Sequence, residues 1–209
     1  GSDVDGIYRI KGLHRHAVIA DIGSFAIAHP PKTPFDVPSG LQFAMEKNHR
    51  GFLVTDGHHN RVYQVRPGGH IRVVRAFGDI VPTGLENRHG TIYMAQAGPV
   101  PHRARTGKIW RFGHNGAMRL VAKGAPLLTD VERSRTGLYA VSQGDFPDGS
   151  PAGTPAAPDT GSLVRATRAG HLVTLLHPVD RPTSLEIVRN TAYIVTLGGD
   201  VLKVRHLGG

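Results

Sequence analysis

The 209-residue chain holds 27 glycines, 15 prolines and no cysteine, and it carries a formal charge of +9 with a pI near 10.3. A chain of this length can bury ~70% of the surface its unfolded form would expose, which suits one folded domain. The composition excludes a disulfide framework and thiolate chemistry, and no apolar run is long enough to span a membrane.

In chain order, Gly1-Ser2 reads as a cloning scar and residues 1–5 as a tail, ahead of one domain over residues 7–209. Residues 7–10 and 17–22 read as the last two strands of a blade whose first two strands are absent. A connector over residues 23–36, with His29-Pro30-Pro31, is expected to be too rich in proline for a helix. The first repeat then opens on Val37-Pro38-Ser39-Gly40-Leu41. An apolar run at 52–55 closes on Asp56, and a turn follows through Gly57, His58, His59 and Asn60. Residues 62–65 restart the strand pattern, Pro67-Gly68-Gly69 turns it, and residues 71–74 close it.

The unit recurs three times. The opening motif returns as Val81-Pro82-Thr83-Gly84-Leu85, as Leu127-Leu128-Thr129-Asp130-Val131 and as Arg181-Pro182-Thr183-Ser184-Leu185. Second strands are expected at 92–95, 138–141 and 192–195, ending on Gln96, Ser142 and Thr196. Third strands are expected at 108–112, 162–166 and 201–204, and fourth strands at 118–121 and 172–175. Four short strands per repeat, at a period in the forties, predict an all-β chain. The fold class is a β-propeller of four-stranded antiparallel blades, incomplete or atypically closed, with about four to five blades. Unmatched strands at 7–10 and 201–204 predict exposed edges and make a homo-oligomer an expected partner state.

The basic residues are scattered. The densest cluster, Arg103, Arg105, Lys108 and Arg111 around Trp110, occupies a single repeat, and aromatics make up only 6% of the chain. Specific nucleic-acid recognition concentrates positive charge on one face with aromatics for stacking. The charge therefore predicts solubility and weak, salt-sensitive anion attraction instead.

Candidate functional residues follow from departures between repeats. The turn after the second strand is short in the first repeat but runs over 97–106 in the second and 143–160 in the third, where Pro147, Pro151, Pro155 and Pro158 stiffen it. Ser39, Thr83, Thr129 and Thr183 hold the same place in every opening motif and are expected to bond neighbouring backbone. The next place is Gly40, Gly84 and Ser184 in three repeats but Asp130 in the other. Polar residues beside these turns, Asp56, His58, His59, Gln96, His102, Asp130 and Gln143, form the expected ligand-binding mouth. His58, His59 and Asp130 are candidate ligands for a divalent cation, although their spacing matches no compact zinc signature. No phosphate-binding glycine loop, nucleophile elbow or Ser-His-Asp order occurs.

The strings VTDGHHNRV, IVPTGL, IYMAQAGPVPH, LYAVSQGDFP, PDTGSLVR and DRPTSLE followed by TAYIVTL resemble the ScyD/ScyE family, which is named after proteins of the scytonemin gene cluster and is similar to NHL-type six-bladed propellers. The resemblance covers residues 7–204. It implies export, and it implies that the chain corresponds to the later part of a typical member. Three function classes follow. The first is a module that binds a small molecule or peptide at the mouth. The second is a metal-assisted hydrolase or lyase using the same mouth, by analogy with gluconolactonase-type and streptogramin-lyase propellers. The third is a protein interaction scaffold.

Overall fold

The structure, a computed structural model, describes residues 3–32, 39–112, 117–151 and 153–207. Val37 and Pro38, which begin the first opening motif, lie outside the described residues, as do residues 33–36 of the connector. The chain divides into two compact units, Gly1–Pro82 and Thr83–Gly209.

In the first unit, β1 (Gly6–Ile10) and β2 (His16–Asp21) form an antiparallel two-stranded sheet. A helix follows, α1 (Ile22–Ala28), where the prolines argued for none. The Asp21 carboxylate caps it, accepting from the Ser24 amide at 2.9 Å and the Ser24 hydroxyl at 2.7 Å. The Ser24 amide also holds that carboxyl below its usual range. Pro30 and Pro31 fall just past the C-cap, His29, so they end the helix instead of preventing it. The strands β3 (Gln42–Asn48), β4 (Gly51–Asp56), β5 (Arg61–Val65) and β6 (Ile71–Ala76) then make a four-stranded antiparallel sheet in chain order. Ile7 and Ala20 of the hairpin, Ile22 of α1, and Val54, Tyr63 and Val65 of the sheet share one buried cluster.

The second unit repeats the same sheet. One copy is β7 (Pro82–Arg88), β8 (Thr91–Gln96), β9 (Lys108–Phe112) and β10 (Met118–Lys123). The next is β11 (Leu128–Arg133), β12 (Leu138–Ser142), β13 (Gly161–Ala166) and β14 (Leu172–Val179). A three-stranded sheet of β15 (Pro182–Val188), β16 (Thr191–Thr196) and β17 (Val201–Val204) follows. The fold class is therefore that expected: all-β, with antiparallel blades of the β-propeller type and, among the described residues, a single short helix.

Side chains alternate across a strand, so a strand between two neighbouring blades must be apolar on both faces. β12 meets this demand. Leu138 and Ala140 enter a core with Ala95 and Ile109 of the preceding blade and Leu128 of their own. Tyr139 and Val141 enter a second core with Leu185, Ala192 and Ile194 of the following one.

The first strands of the second unit are stitched side to side. The Thr83 hydroxyl donates to the Leu128 carbonyl at 2.8 Å, and the Thr129 hydroxyl to the Pro182 carbonyl at 2.9 Å. Each acceptor immediately precedes the next repeat's own threonine. The Thr83 and Thr129 hydroxyls thus do bond backbone, that of the next blade, and Thr129 adds a longer bond to the Val141 carbonyl of its own blade at 3.4 Å. Thr183 turns instead to Val195 of its own blade, at 3.2 Å. Just ahead of these strands, Val81, Leu127 and Arg181 all adopt positive φ, between 40° and 50°. That conformation is costly for a β-branched or bulky residue and marks a corner that the repeat imposes.

Thr129→Val removes a buried donor while keeping side-chain shape, so it should cost about 1–2 kcal/mol, and Thr83→Val a similar amount. Thr183→Val, whose bond is exposed, should cost less than about 0.5 kcal/mol. Urea unfolding of the three variants beside the parent measures the series.

Candidate functional site

The expected site residues divide between the units, Asp56, His58 and His59 in the first, and Gln96, His102, Asp130 and Gln143 in the second. In the first unit Asp56, at the end of β4, has no solvent exposure. Its Oδ1 accepts from the Leu41 amide at 2.9 Å and the His59 amide at 3.0 Å, while Oδ2 accepts from the Tyr63 hydroxyl. A Cβ on Gly40 would stand 2.7 Å from that Oδ2, so the small residue in the motif makes room for the carboxylate. Burial first, and the Asp56 carboxylate second, push the Tyr63 phenol well above its ordinary range.

Arg61 completes this buried group. It lies over the Tyr63 ring at 5.2 Å, donates from one terminal nitrogen to the His29 carbonyl, and donates from the other to His59 Nδ1 at 2.7 Å. A guanidinium can only donate, so Nδ1 accepts and the His59 ring proton sits on Nε2. The 3.3 Å approach of Nδ1 to Asp56 Oδ2 is then a contact with no proton between the two atoms. His58 stands apart, half-buried, and its Nδ1 donates to the Ser39 carbonyl at 3.1 Å.

Asp130 lies at the start of β11, paired with Val141 of β12, on the blade end from which the 143–160 turn departs. Its carboxylate reaches across to the next blade. Oδ2 accepts from the Leu185 amide at 2.8 Å and Oδ1 from its neighbour Val131 at 2.9 Å. A Cβ on Gly84 would lie 2.6 Å from the Asp130 Cα, so glycine is required on the other side. One carboxylate thus sits among β7, β11 and β15. Burial, the largest cause, raises it to about 6 against the bonds from Leu185, Val131 and Ser184, and Glu186 adds to the rise. Glu86, two residues beyond Gly84 on β7, is raised as well, first by burial and then by Glu186.

The two long turns of the second unit meet. His102 stands edge-on to Phe146, with ring centroids 5.6 Å apart. Gln143 fastens the longer turn from inside, its Oε1 accepting from the Ala156 amide at 3.1 Å. The Ala157 amide donates to the Asp145 carbonyl at 2.8 Å, and the Asp145 amide to Thr160 Oγ1 at 2.9 Å. Gln96 is buried and accepts from the Trp110 indole at 2.6 Å, the counterpart of Asp56 accepting from Tyr63. Both aromatics lie at one register position, since Tyr63 faces Val54 and Trp110 faces Met94.

Sequence reasoning passed over Arg61, Tyr63, Trp110 and Phe146. An aromatic at the same place of two third strands, beside a polar end of the second strand, was the available signal for Tyr63 and Trp110. Among the described residues, no three His, Asp or Glu side chains gather as a metal-holding group.

No family model matches the chain. No curated protein matches it. Solved structures do. A chain in the crystal structure of a nidogen/laminin complex aligns with a TM-score of 0.63 at 15% identity, over 92% of this chain and 64% of that one. A catalytically inactive virginiamycin B lyase from Staphylococcus aureus with quinupristin aligns at 0.49 and 14% identity, over 83% and 57%. The computationally designed Ika4 protein aligns at 0.49 and 12% identity, over 82% and 95%. The chain therefore spans less than two thirds of the first two, and at these identities the likeness is one of β-propeller-type fold.

Asp56→Ala should destabilise the first unit by about 3–5 kcal/mol, because it strands a buried arginine and several donors. His58→Ala, which loses one exposed bond, should cost less than about 1 kcal/mol. Thermal unfolding of both variants checks the contrast. Asp130 has its own pH signature. A carboxyl raised in the fold contributes most stability below its unfolded pKa and loses it as pH rises towards 6. Relative to Asp130→Asn, the parent should therefore lose about 2 kcal/mol between pH 4.5 and pH 7. Urea unfolding of the pair at the two pH values measures it.

Proposed function

We propose that the second unit binds a small molecule or peptide bearing a cationic group, on the blade ends where Asp130 and the turns 97–106 and 143–160 lie. One observation carries this reading. The turns that depart most from the repeat pack on each other through His102 and Phe146, and the longer one springs from beside Asp130, the motif position that departs most in charge. A stiffened, repeat-specific rim is how a repeat scaffold acquires a ligand surface.

Electrostatics supports the choice of a cation. Asp130 is raised to about 6, and Glu86 is raised with it by burial and by Glu186. A positive group placed there would relieve both. The ScyD/ScyE resemblance, the expected export and the expected self-association belong to this proposal too. They rest on the quoted motifs and on the unmatched strands. Among the described residues no helix is long and apolar enough to cross a membrane. The alternatives are a metal-assisted hydrolase or lyase, with a divalent cation at His58 and His59 or at Asp130, and an interaction scaffold. Elemental analysis of the purified protein addresses the first of these.

Amide chemical-shift mapping with benzylamine and a lysine tripeptide, beside benzoate and benzamide, tests the proposal. The amines should move resonances in 127–131 and 145–148 at pH 7 and lose that effect below about pH 5, as Asp130 gains its proton. Asp130→Asn should weaken them at least about fivefold. Equal responses to benzoate, or shifts confined to other residues, would overturn the reading.

A further inference from the structure

We propose that the cleft between the β1–β2 hairpin and the first four-stranded sheet is a second binding site, for a small organic anion carrying one ring. It lies in the first unit and has the opposite charge preference to the site on the second, so it stands or falls separately. The cleft measures about 430 Å³, within the range of small-molecule sites, and its walls include Tyr8, Arg9, Ile19, Lys47, His49 and Phe52.

The chemistry of the walls is two-sided. Ile19 and Phe52 form an apolar floor rooted in the buried cluster of Ile7, Val54 and Val65. Tyr8 adds a ring that is held in place by its hydroxyl donating to the Val4 carbonyl and by edge contact with His16 at 5.1 Å. Arg9, Lys47 and His49 supply cationic and N–H groups at the exposed rim. Arg50 Nε donates to His49 Nε2 at 3.1 Å, which leaves the ring proton of His49 on Nδ1.

Among the described residues none that lines the cleft is acidic. The neutral polar member, Asn48, is committed to the framework, donating to Gln64 Oε1 at 2.9 Å and accepting from the Arg50 amide. A neutral ring fits the floor without the rim, and a bare anion meets the rim without the floor. A ligand with both parts uses the whole cleft.

The walls are also fixed in position. Gly69, in the turn between β5 and β6, presses so closely on the Ile19 carbonyl that a Cβ there would overlap it, and Gly51 approaches the Val65 carbonyl in the same way. Both glycines have positive φ, so side-chain-bearing residues are excluded twice over. Backbone contact, not a mobile loop, sets the separation of the walls.

Isothermal titration of the full chain with phenyl phosphate, inorganic phosphate and phenol tests the proposal. Phenyl phosphate should bind at least about tenfold more tightly than either part alone, and it should weaken as salt is raised from low ionic strength. Arg9→Glu with Lys47→Glu should lower its affinity at least about tenfold, whereas Arg105→Gln with Lys123→Gln, in the other unit, should leave it unchanged. Both reversed side chains are exposed. If that double variant does not fold, Arg9→Gln alone should weaken binding about threefold. Phenyl phosphate binding no tighter than inorganic phosphate, or binding unmoved by the Arg9 and Lys47 changes, overturns the proposal.

Discussion

Within the second unit, neighbouring blades share no ladder of backbone hydrogen bonds among the described residues, apart from the isolated bridge of Lys123 with His171. Their first strands are therefore fastened by side chains, and much of the structure answers to that constraint. Thr83 and Thr129 each send one hydroxyl to the next blade's opening carbonyl, and Asp130 receives an amide from the blade after its own. Apolar clusters supply the bulk of the adhesion, but they are non-directional. The single polar bonds fix register, which is why a hydroxyl recurs at this place while the residues around it change.

A second consequence concerns the amide that follows the motif's small residue. Pairing of the first strand with the second slips at this point in two sheets, between Leu128 and Asp130 and again between Pro182 and Ser184. The amide that follows needs an acceptor wherever it is kept from water, because a buried amide without one costs a full desolvation penalty. Two solutions appear. Leu41 gives its amide to Asp56, a carboxylate from its own blade's second strand, and Leu185 gives its amide to Asp130, from the neighbouring first strand. Glycine stands where each carboxylate needs space, as Gly40 against Asp56 and Gly84 against Asp130.

Such bonds separate what the residue pattern carries from what only the folded chain brings together. The strands were legible because each apolar run is bounded by glycine, proline or asparagine, and because the pattern recurs. The departure at Asp130 was legible as broken symmetry, but its partner Leu185 is 55 positions away and nothing local names it. Pro30 and Pro31 mask helix α1 in the sequence, whereas the signal that marks it is Asp21 followed three residues later by Ser24. The helix brings Phe25 against Tyr63 on the flank of the Asp56 group, whose burial no pattern of polarity announces. The contact of His102 with Phe146 joins two turns whose sequences share nothing.

The two-faced strand β12 has an implication for the life of the chain before it is folded. Leu138-Tyr139-Ala140-Val141-Ser142 is buried along its whole length, so no face of it can carry charge. A short, uncharged segment of high β propensity is the kind of sequence that stacks with copies of itself when it is left uncovered. The charges this strand cannot hold stand just upstream of it, in Arg133 and Arg135, and Pro147 and Pro151 follow soon after it. These neighbours act as gatekeepers for a strand that its two cores require to be sticky.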